Sequence, residues 1–506
     1  MEATPNPLPA DTVEPIIITD SISYRKPQPL DVLRGIGILF GLMVSVWLFA
    51  GFSNGRQFGI INKATGFDYR LYSTVSVLFD GKMRALIGLV FGAGLLLYMA
   101  KSELSKTLPA ADFYIRRQMW LMAFGLLNAM YFLWPNDMLF QLGAMGILVF
   151  PFLRLSPKKL MLAATICLLI FCGKNYWRFA DDKGVYKKYL AVTVVEKKFA
   201  KDSADRHIKD SLAKIANPAK PAGIKDSTQT SASKDSLAKA KKDTLTKEQA
   251  DHKAAWEGLV KNLVFDPKND EGEKNEVRET SYGKLWDHML NMTQGREAAW
   301  TYRTGVWELG MSILLGMALL KMGFFAFSYR RGQYFMLAII AIGIGLFFGW
   351  FRLYFHNSAL RGYEKYITHK WVPHTQFIAI ERLSMALGYA ALVMWLLQAN
   401  LLRFFTKGFA AVGRIALTNY LLQSIFLSWF FTGAGSGNFG KLNQWQMYFF
   451  VLLVMLMQIV LSVFWLRRYQ QGPAEWLWRC AIAKKWLPFK TPHAIAPPGD
   501  IASTPA

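Results

Sequence analysis

Long apolar runs alternate along the chain with short polar joints, and one long polar block divides the series in two. The apolar runs fall at about 33–53, 80–99, 117–134, 137–153, 159–177, 305–327, 333–354, 377–398, 411–431 and 445–466. Runs of this length with few charges can cross a hydrocarbon core of roughly 30 Å. Inside lipid each backbone polar group has to be satisfied within its own segment, so each run predicts a helix. The expected fold is all-α: a polytopic integral membrane helical bundle of about ten transmembrane helices with a large polar extracytoplasmic insert. The expected divisions are a tail at 1–28, membrane helices at 29–178, the insert at 179–300, membrane helices at 301–490 and a tail at 491–506. Five spans, an insert and five spans also give the parity of an inverted-repeat transporter.

The joints set an orientation. Arg25, Lys26 and Arg34 lead into the first span, and Lys101, Lys106, Arg116 and Arg117 separate the second and third. Arg154, Lys158 and Lys159 follow the fourth, Arg330 and Arg331 the sixth, Arg403 and Lys407 the eighth, and Arg467 and Arg468 the tenth. All of these fall on one side, which the positive-inside rule makes cytoplasmic, together with both termini. The insert is then periplasmic or extracellular, and the expected location is the inner membrane of a bacterium. The first 28 residues lack the apolar core of a cleavable signal, so the first span is expected to serve as an uncleaved anchor.

Charge refines this picture. A net charge of +24 would ordinarily suggest nucleic acid, but residues 179–300 hold 23 Lys and Arg against 20 Asp and Glu. That block is nearly neutral, so most of the excess sits in membrane-associated joints and tails, where it favours an anionic lipid surface. The expected partner is the lipid bilayer and not nucleic acid; no oligomeric state can be read. The centre of the insert repeats KDSLAK at Lys209–Lys214 and Lys234–Lys239 and is expected to be disordered or a solvated helix. The more aromatic flank Trp256–Gln294 is expected to pack on the outer surface. Cys167, Cys172 and Cys480 make no disulfide framework, and neither they nor His356, His369 and His374 have metal-ligand spacing.

Ionisable residues at membrane depth are expensive and mark candidate sites. At the outer ends of the spans these are Asp80, Lys82, Arg84, Asp137, Arg303, Glu308, Arg352, His356, Glu381 and Arg382. Charges of both signs on several helix ends point to a polar pocket, against the plainer reading of helix-locking ion pairs. Asp137, Glu308 and Glu381 are the candidate catalytic carboxylates. Arg84, Asn128, Arg352, His356 and Arg382 are the candidate substrate-binding residues. A second, inner polar site is expected from Asp31, Arg34, Arg414, Asn419 and Gln423. There Asp31 is read as a helix N-cap, and Arg414/Thr418 and Asn419/Gln423 as i,i+4 pairs; Arg34 is suited to a phosphate-bearing cofactor or lipid head. No Walker loop, G-x-S-x-G elbow or H-E-x-x-H occurs. GLVFGAG at Gly88–Gly94 reads as close helix packing.

Five segments together resemble the YeiB-like bacterial membrane proteins, known as domain of unknown function 418 (DUF418): LDVLRGIGIL at Leu30–Leu39, LFDGKMRALIGLVFGAG at Leu78–Gly94, RRQMWLMAFGLLNAMYFLWPNDML at Arg116–Leu139, VGRIALTNYLLQSI at Val412–Ile425 and QGPAEWLWR at Gln471–Arg479. That family is distantly similar to transmembrane acyltransferases. The resemblance implies transfer of an acyl group from a donor such as acyl-CoA to an envelope lipid or glycan acceptor. Those enzymes place a histidine eleven positions after the first-span arginine; here Arg34 is followed at that distance by Ser45, roughly 16 Å along the helix. Asn128 likewise stands where the family usually has histidine, while Asp137 is retained. The residues themselves leave an acyltransferase-like enzyme, a transporter or flippase, and a non-catalytic scaffold all open.

Overall fold

A computed structural model describes residues 29–51, 66–104, 110–134, 137–216, 245–261, 267–279 and 281–489. The expected tails at 1–28 and 491–506 and the second KDSLAK repeat lie outside these. Among the described residues all regular structure is helical. Helix α1 spans Pro29–Phe49, α2 Phe67–Leu78, α3 Lys82–Leu104, α4 Ala110–Met130, α5 Leu139–Leu148 and α6 Pro157–Ala216. Then come α7 (Lys247–Lys261), α8 (Pro267–Glu279) and α9 (Tyr282–Gln294). A π-helical segment, Gly295–Gly305, leads directly into α10 (Val306–Lys321). The last third holds α11 (Arg331–Arg361), α12 (Tyr363–His369), α13 (Ile378–Gln398), α14 (Arg403–Arg414), α15 (Ala416–Phe431), α16 (Gln444–Arg468) and α17 (Pro473–Ala483).

Among the described residues seven helical runs are long and apolar enough to cross a membrane, and eight if the bent pair α14–α15 counts as one span. Two of the ten expected spans fall short by this measure. α4 carries Asp112, Arg116 and Arg117 in its first half, and α5 is only ten residues long. The outward faces fit lipid: Phe335, Met336, Ile339, Phe347 and Trp350 on α11 are exposed, as are Phe449, Leu452, Leu456 and Phe464 on α16. In water so large an apolar surface would be sticky, whereas in a bilayer it is the solvated face.

Glycine sets the spacing of the helices that meet most closely. A methyl group on Gly413 of α14 would overlap the Asp31 carbonyl oxygen of α1, and one on Gly35 would overlap the Phe409 carbonyl oxygen. Gly92 of α3 and Gly316 of α10 interlock in the same way, each against the other helix's backbone. Lipid tails are as apolar as leucine, so helices associate through close packing rather than hydrophobic expulsion, and small residues permit it. The GLVFGAG run is therefore a packing surface.

Helix α6 has 60 residues, a length of roughly 90 Å, and runs unbroken through the point where the sequence places the change from membrane to insert. Its first part lies on α10. Its second part packs through Phe179 and Tyr186 against Trp256 of α7 and Tyr366 of α12. Residues 201–216 and 247–255 are helical, as a solvated helix requires. Farther on, Val277, Leu285 and Met289 of α8 and α9 bury against Leu133 and Phe439. We call the end of the bundle from which α6 projects the extension end, and the opposite end, holding Pro29 and α17, the tail end.

Gly316→Ala is expected to lower unfolding stability by about 1–3 kcal/mol, because the rigid Leu89 backbone cannot yield. Gly332→Ala, which meets open space on α11, should leave it unchanged or raise it. Thermal unfolding of the two variants in one detergent checks the contrast.

Candidate functional site

The extension end gathers most of the outer candidates into one network. Glu381 of α13 and Lys82 of α3 are both fully buried and form an ion pair. Arg352 of α11 donates to the same carboxylate from Nε, 2.8 Å to Oε2 and 3.1 Å to Oε1. Lys82 Nζ and Arg352 Nη2 then both donate to the Ser76 carbonyl oxygen of α2, at 2.9 and 3.0 Å. From Arg352 the chain of charge continues to Asp80, 3.4 Å away, and from Asp80 to Arg382 at 4.0 Å. Arg382 donates to Glu308 of α10 at 2.5 Å, and Glu308 stands 4.0 Å from Arg84 of α3. Four cations and three carboxylates thus join α3, α10, α11 and α13. Burying so many charges is tolerable only because each carboxylate meets a cation of fixed geometry.

Beside the network lies a cavity of about 120 Å³. Asp80, Arg84 and Arg382 form its polar wall, with Tyr420 and Gln423 of α15 opposite, and Gly37, Gly41 and Ser45 of α1 lining the rest. Gly81 shapes this wall. Its φ of +74° is one that side chains rarely adopt, and a methyl group there would displace the Arg382 guanidinium. Ser45, singled out in the sequence as a departure from the acyltransferase pattern, is thus a cavity residue.

Other candidates are held apart from this network. Asp137 Oδ2 accepts from the Phe140 backbone N–H at 2.9 Å, and Oδ1 accepts from Asn128 Nδ2 at 2.9 Å. This pair fastens the start of α5 to α4, and the neighbouring Met138 reaches the cavity. His356 packs 5.0 Å from His374, ring to ring, and neither lines the cavity. Among the described residues no group of three His, Cys, Asp or Glu could hold a metal ion.

The expected inner site divides in two at the tail end. Asp31 lies in the first turn of α1 rather than capping it, and accepts from Arg34 at 3.1 Å. Arg34 Nη1 also donates to the Gly413 carbonyl oxygen at 3.3 Å. Asn419 and Gln423 instead belong to a buried ladder between α15 and α16. Asn419 donates to Ser462 at 2.9 Å, Gln423 to Gln458 at 2.9 Å and to the Ile38 carbonyl at 3.3 Å. Arg414 and Thr418 do not share a face as the sequence suggested, because the chain bends by 83° between α14 and α15. The break leaves the first N–H groups of α15 without intrahelical partners. Glu475 of α17 accepts from the N–H groups of Leu417 at 2.7 Å and Thr418 at 3.2 Å, and from the Thr418 hydroxyl at 2.5 Å. Burial nonetheless raises the Glu475 carboxyl above its ordinary range.

Sequence reasoning missed the roles of Ser76, Tyr420, Gln458 and Glu475. Glu475 was visible in the QGPAEWLWR segment, but only as part of a pattern. Nothing local says that its carboxylate caps a helix nearly sixty residues earlier.

Comparison with known proteins adds kinship without an activity. The family model described as "Protein of unknown function (DUF418)" matches residues 319–485. The chain is similar to "Uncharacterized protein YxaH" of Bacillus subtilis (strain 168), 26% identical over 480 residues that make up 93% of this chain and 97% of that protein. It is also similar to "Uncharacterized protein YeiB" of Escherichia coli (strain K12), 32% identical over 182 residues, 34% of this chain and 43% of that one. No solved structure matches.

Two outcomes are expected. Glu381→Gln leaves Lys82 and Arg352 buried without their carboxylate and should cost about 3–5 kcal/mol of stability, part of which Lys82→Met restores in the double variant. Thermal unfolding of the single and double variants measures this. His374, in the loop before α13, has its pKa pushed down from 6.5 to about 3 by burial, with His356 and Arg352 adding to it. It is therefore neutral in the folded protein at pH values where the unfolded chain protonates it. Its contribution is complete above pH 6.5 and is lost as pH falls toward 3. Unfolding temperature should decline over that window less steeply in His374→Asn than in the parent.

Proposed function

We propose that this chain, a relative of the YeiB-like DUF418 proteins, binds an anionic amphiphile of the cell envelope in the cavity between α1, α3, α13 and α15, and moves it between leaflets. The observation that carries this reading is the cavity's composition. Two guanidinium groups, Arg84 and Arg382, stand with the single carboxylate of Asp80 on one wall, Tyr420 and Gln423 face them, and apolar residues and glycines of α1 and α3 line much of the remainder. Arginine suits the planar oxygens of a phosphate or carboxylate, and the glycine-lined side of α1 leaves room for an apolar chain. An anion arriving in the cavity meets both guanidinium groups. The same anion competes with Glu308 for Arg382 and with Asp80 for Arg382 and Arg352, and so loosens contacts that tie α10 and α11 to α13. A ligand that binds one arrangement better than the other shifts the balance between them.

The orientation belongs to the same proposal. The basic joints, read by the positive-inside rule, support both termini in the cytoplasm of a bacterium and the extension end outside its inner membrane, with residues 179–300 there as the insert. The anion would then be met in the outer half of the bilayer.

A second reading, acyl transfer to an envelope lipid or glycan, is favoured by one observation: Ser45 lines the cavity. Against it, Glu381, Glu308 and the cavity's own Asp80 are all held by cations, and among the described residues no histidine lines the cavity to activate Ser45.

In proteoliposomes carrying fluorescent phosphatidylglycerol, Arg84→Gln and Arg382→Lys are expected to slow leaflet exchange by about 10–100-fold, from the loss of one charge-assisted hydrogen-bonded contact of ~1.5–3 kcal/mol. Gly332→Ala should match the parent. Equal exchange in all four proteins would remove the proposed site. Turnover of a labelled acyl donor that disappears in Ser45→Ala would instead establish the second reading.

A further inference from the structure

Buried polar atoms in folded proteins nearly always find hydrogen-bond partners, and those that do not ask for an explanation. Arg382 Nε on the cavity wall and Glu308 Oε2 behind it are such atoms, and six further side chains beside the cavity contain others. On the α4–α5 side they are Asn128 Oδ1, Trp134 Nε1 and both side-chain polar atoms of Gln141. On α9 and the π-helical segment they are Thr293 Oγ1, Arg296 Nε and Nη2, and both carboxylate oxygens of Glu297. Asn128 and Gln141 are fully buried, Trp134 nearly so, and Glu297 is 7% exposed.

These atoms are placed by elements that touch. α5 packs on the π-helical segment and on α10. The Trp134 ring lies 5.6 Å from that of Tyr420, a cavity residue whose hydroxyl accepts from the Met138 N–H at 3.1 Å. From the other side, the Arg296 guanidinium lies 3.4 Å over the Trp300 ring and that of Arg84, on the cavity wall, 4.9 Å from the same ring. The unpartnered atoms of these six side chains therefore begin one ring beyond the anion wall, on both sides. The backbone here is π-helical, a geometry frequent at functional sites.

The chemistry of the set narrows its ligand. Arg296, Trp134 and Gln141 offer N–H donors, while Glu297, Asn128 and Gln141 offer acceptors. An anion alone would satisfy only the donors, and a cation only the acceptors. A hydroxyl group both donates and accepts, so several hydroxyls on one small frame satisfy the whole set. The frame has to reach past Arg84, which an uncharged extension of the head can do. We infer that the Asn128–Gln141 and Thr293–Glu297 region is a subsite for the hydroxyl groups of a phospholipid head, and that the amphiphile is a polyol-headed phospholipid. This inference rests on the anion-binding reading of the neighbouring cavity and assigns the rest of the head.

The test compares two lipids of equal charge, phosphatidylglycerol, with a diol head, and phosphatidylethanol, with none. The full-length protein is purified in lauryldimethylamine oxide, which has no sugar, and lipid retention is read by native mass spectrometry. Phosphatidylglycerol should be retained about tenfold better, the worth of one to two neutral hydrogen bonds. Gln141→Leu and Glu297→Met should erase that preference while still retaining both lipids through Arg84 and Arg382. They should also leave thermal stability equal or higher, since an unpartnered polar group is being removed from the interior. Equal retention of the two lipids by the parent, as a merely water-filled space would give, overturns the subsite and leaves the anion site standing. So does a preference that survives both variants. Retention of neither lipid by the parent overturns the anion site and the subsite with it.

Discussion

Everything at the extension end depends on the carboxylate of Glu381, which sits where water cannot reach and is held by Lys82 and Arg352. Neither partner could stay charged in that position alone, and neither could the carboxylate. The three groups come from α13, α3 and α11, and both cations reach the Ser76 carbonyl of α2, so a single buried charge fixes the mutual position of four elements. Arg352 passes the constraint to Asp80, and Arg382, one residue after Glu381, passes it to Glu308 on α10. The cavity wall is a by-product of this arrangement. Arg382 can face the cavity because its neighbour in sequence is locked behind it.

A second constraint works without charge. The contacts of α1 with α14 and of α3 with α10 are set by glycines that admit backbone against backbone. These interlocks bring Gly37, Gly41 and Ser45 alongside Arg84 and across from Tyr420, where larger residues would hold the helices apart. Charge thus positions one side of the cavity and the absence of side chains positions the other. The Asn419–Gln458–Gln423 ladder closes the third side and reaches the Ile38 carbonyl of α1, so α15 and α16 are tied to the same helix that lines the space.

Much of this was legible from the residues. The apolar runs gave the helices, because lipid leaves the backbone no alternative, and the membrane-depth charges included all seven members of the network: Asp80, Lys82, Arg84, Glu308, Arg352, Glu381 and Arg382. GLVFGAG gave a packing face. Illegible were the pairings themselves, since which carboxylate meets which cation depends on helix rotation and not on spacing. The α14–α15 break escaped because ALTNYLLQSI continues the apolar pattern across it and Ile415 is no helix breaker. The single inner site expected from Asp31, Arg34, Arg414, Asn419 and Gln423 is divided because the break at Ile415 separates residues that an unbroken helix would have stacked. Asp137 and Asn128, both polar at membrane depth, are joined through Asn128 Nδ2 and Asp137 Oδ1, which leaves Asn128 Oδ1 without a partner.

The Glu475 cap has a consequence for the order in which the chain can be completed. The orphaned N–H groups at the start of α15 wait for a carboxylate that lies some 57 residues further along, beyond all of α16. When α15 is first delivered to the bilayer, that carboxylate has not yet been synthesised, and the bent turn at Ile415 must rely on water or lipid head groups in the meantime. Only after α16 has crossed back and α17 has settled on the surface does the turn acquire its permanent partner. The last helix of the bundle therefore acts as a latch, and a nascent chain that stops short of it has every earlier span but lacks the carboxylate that caps the turn at Ile415.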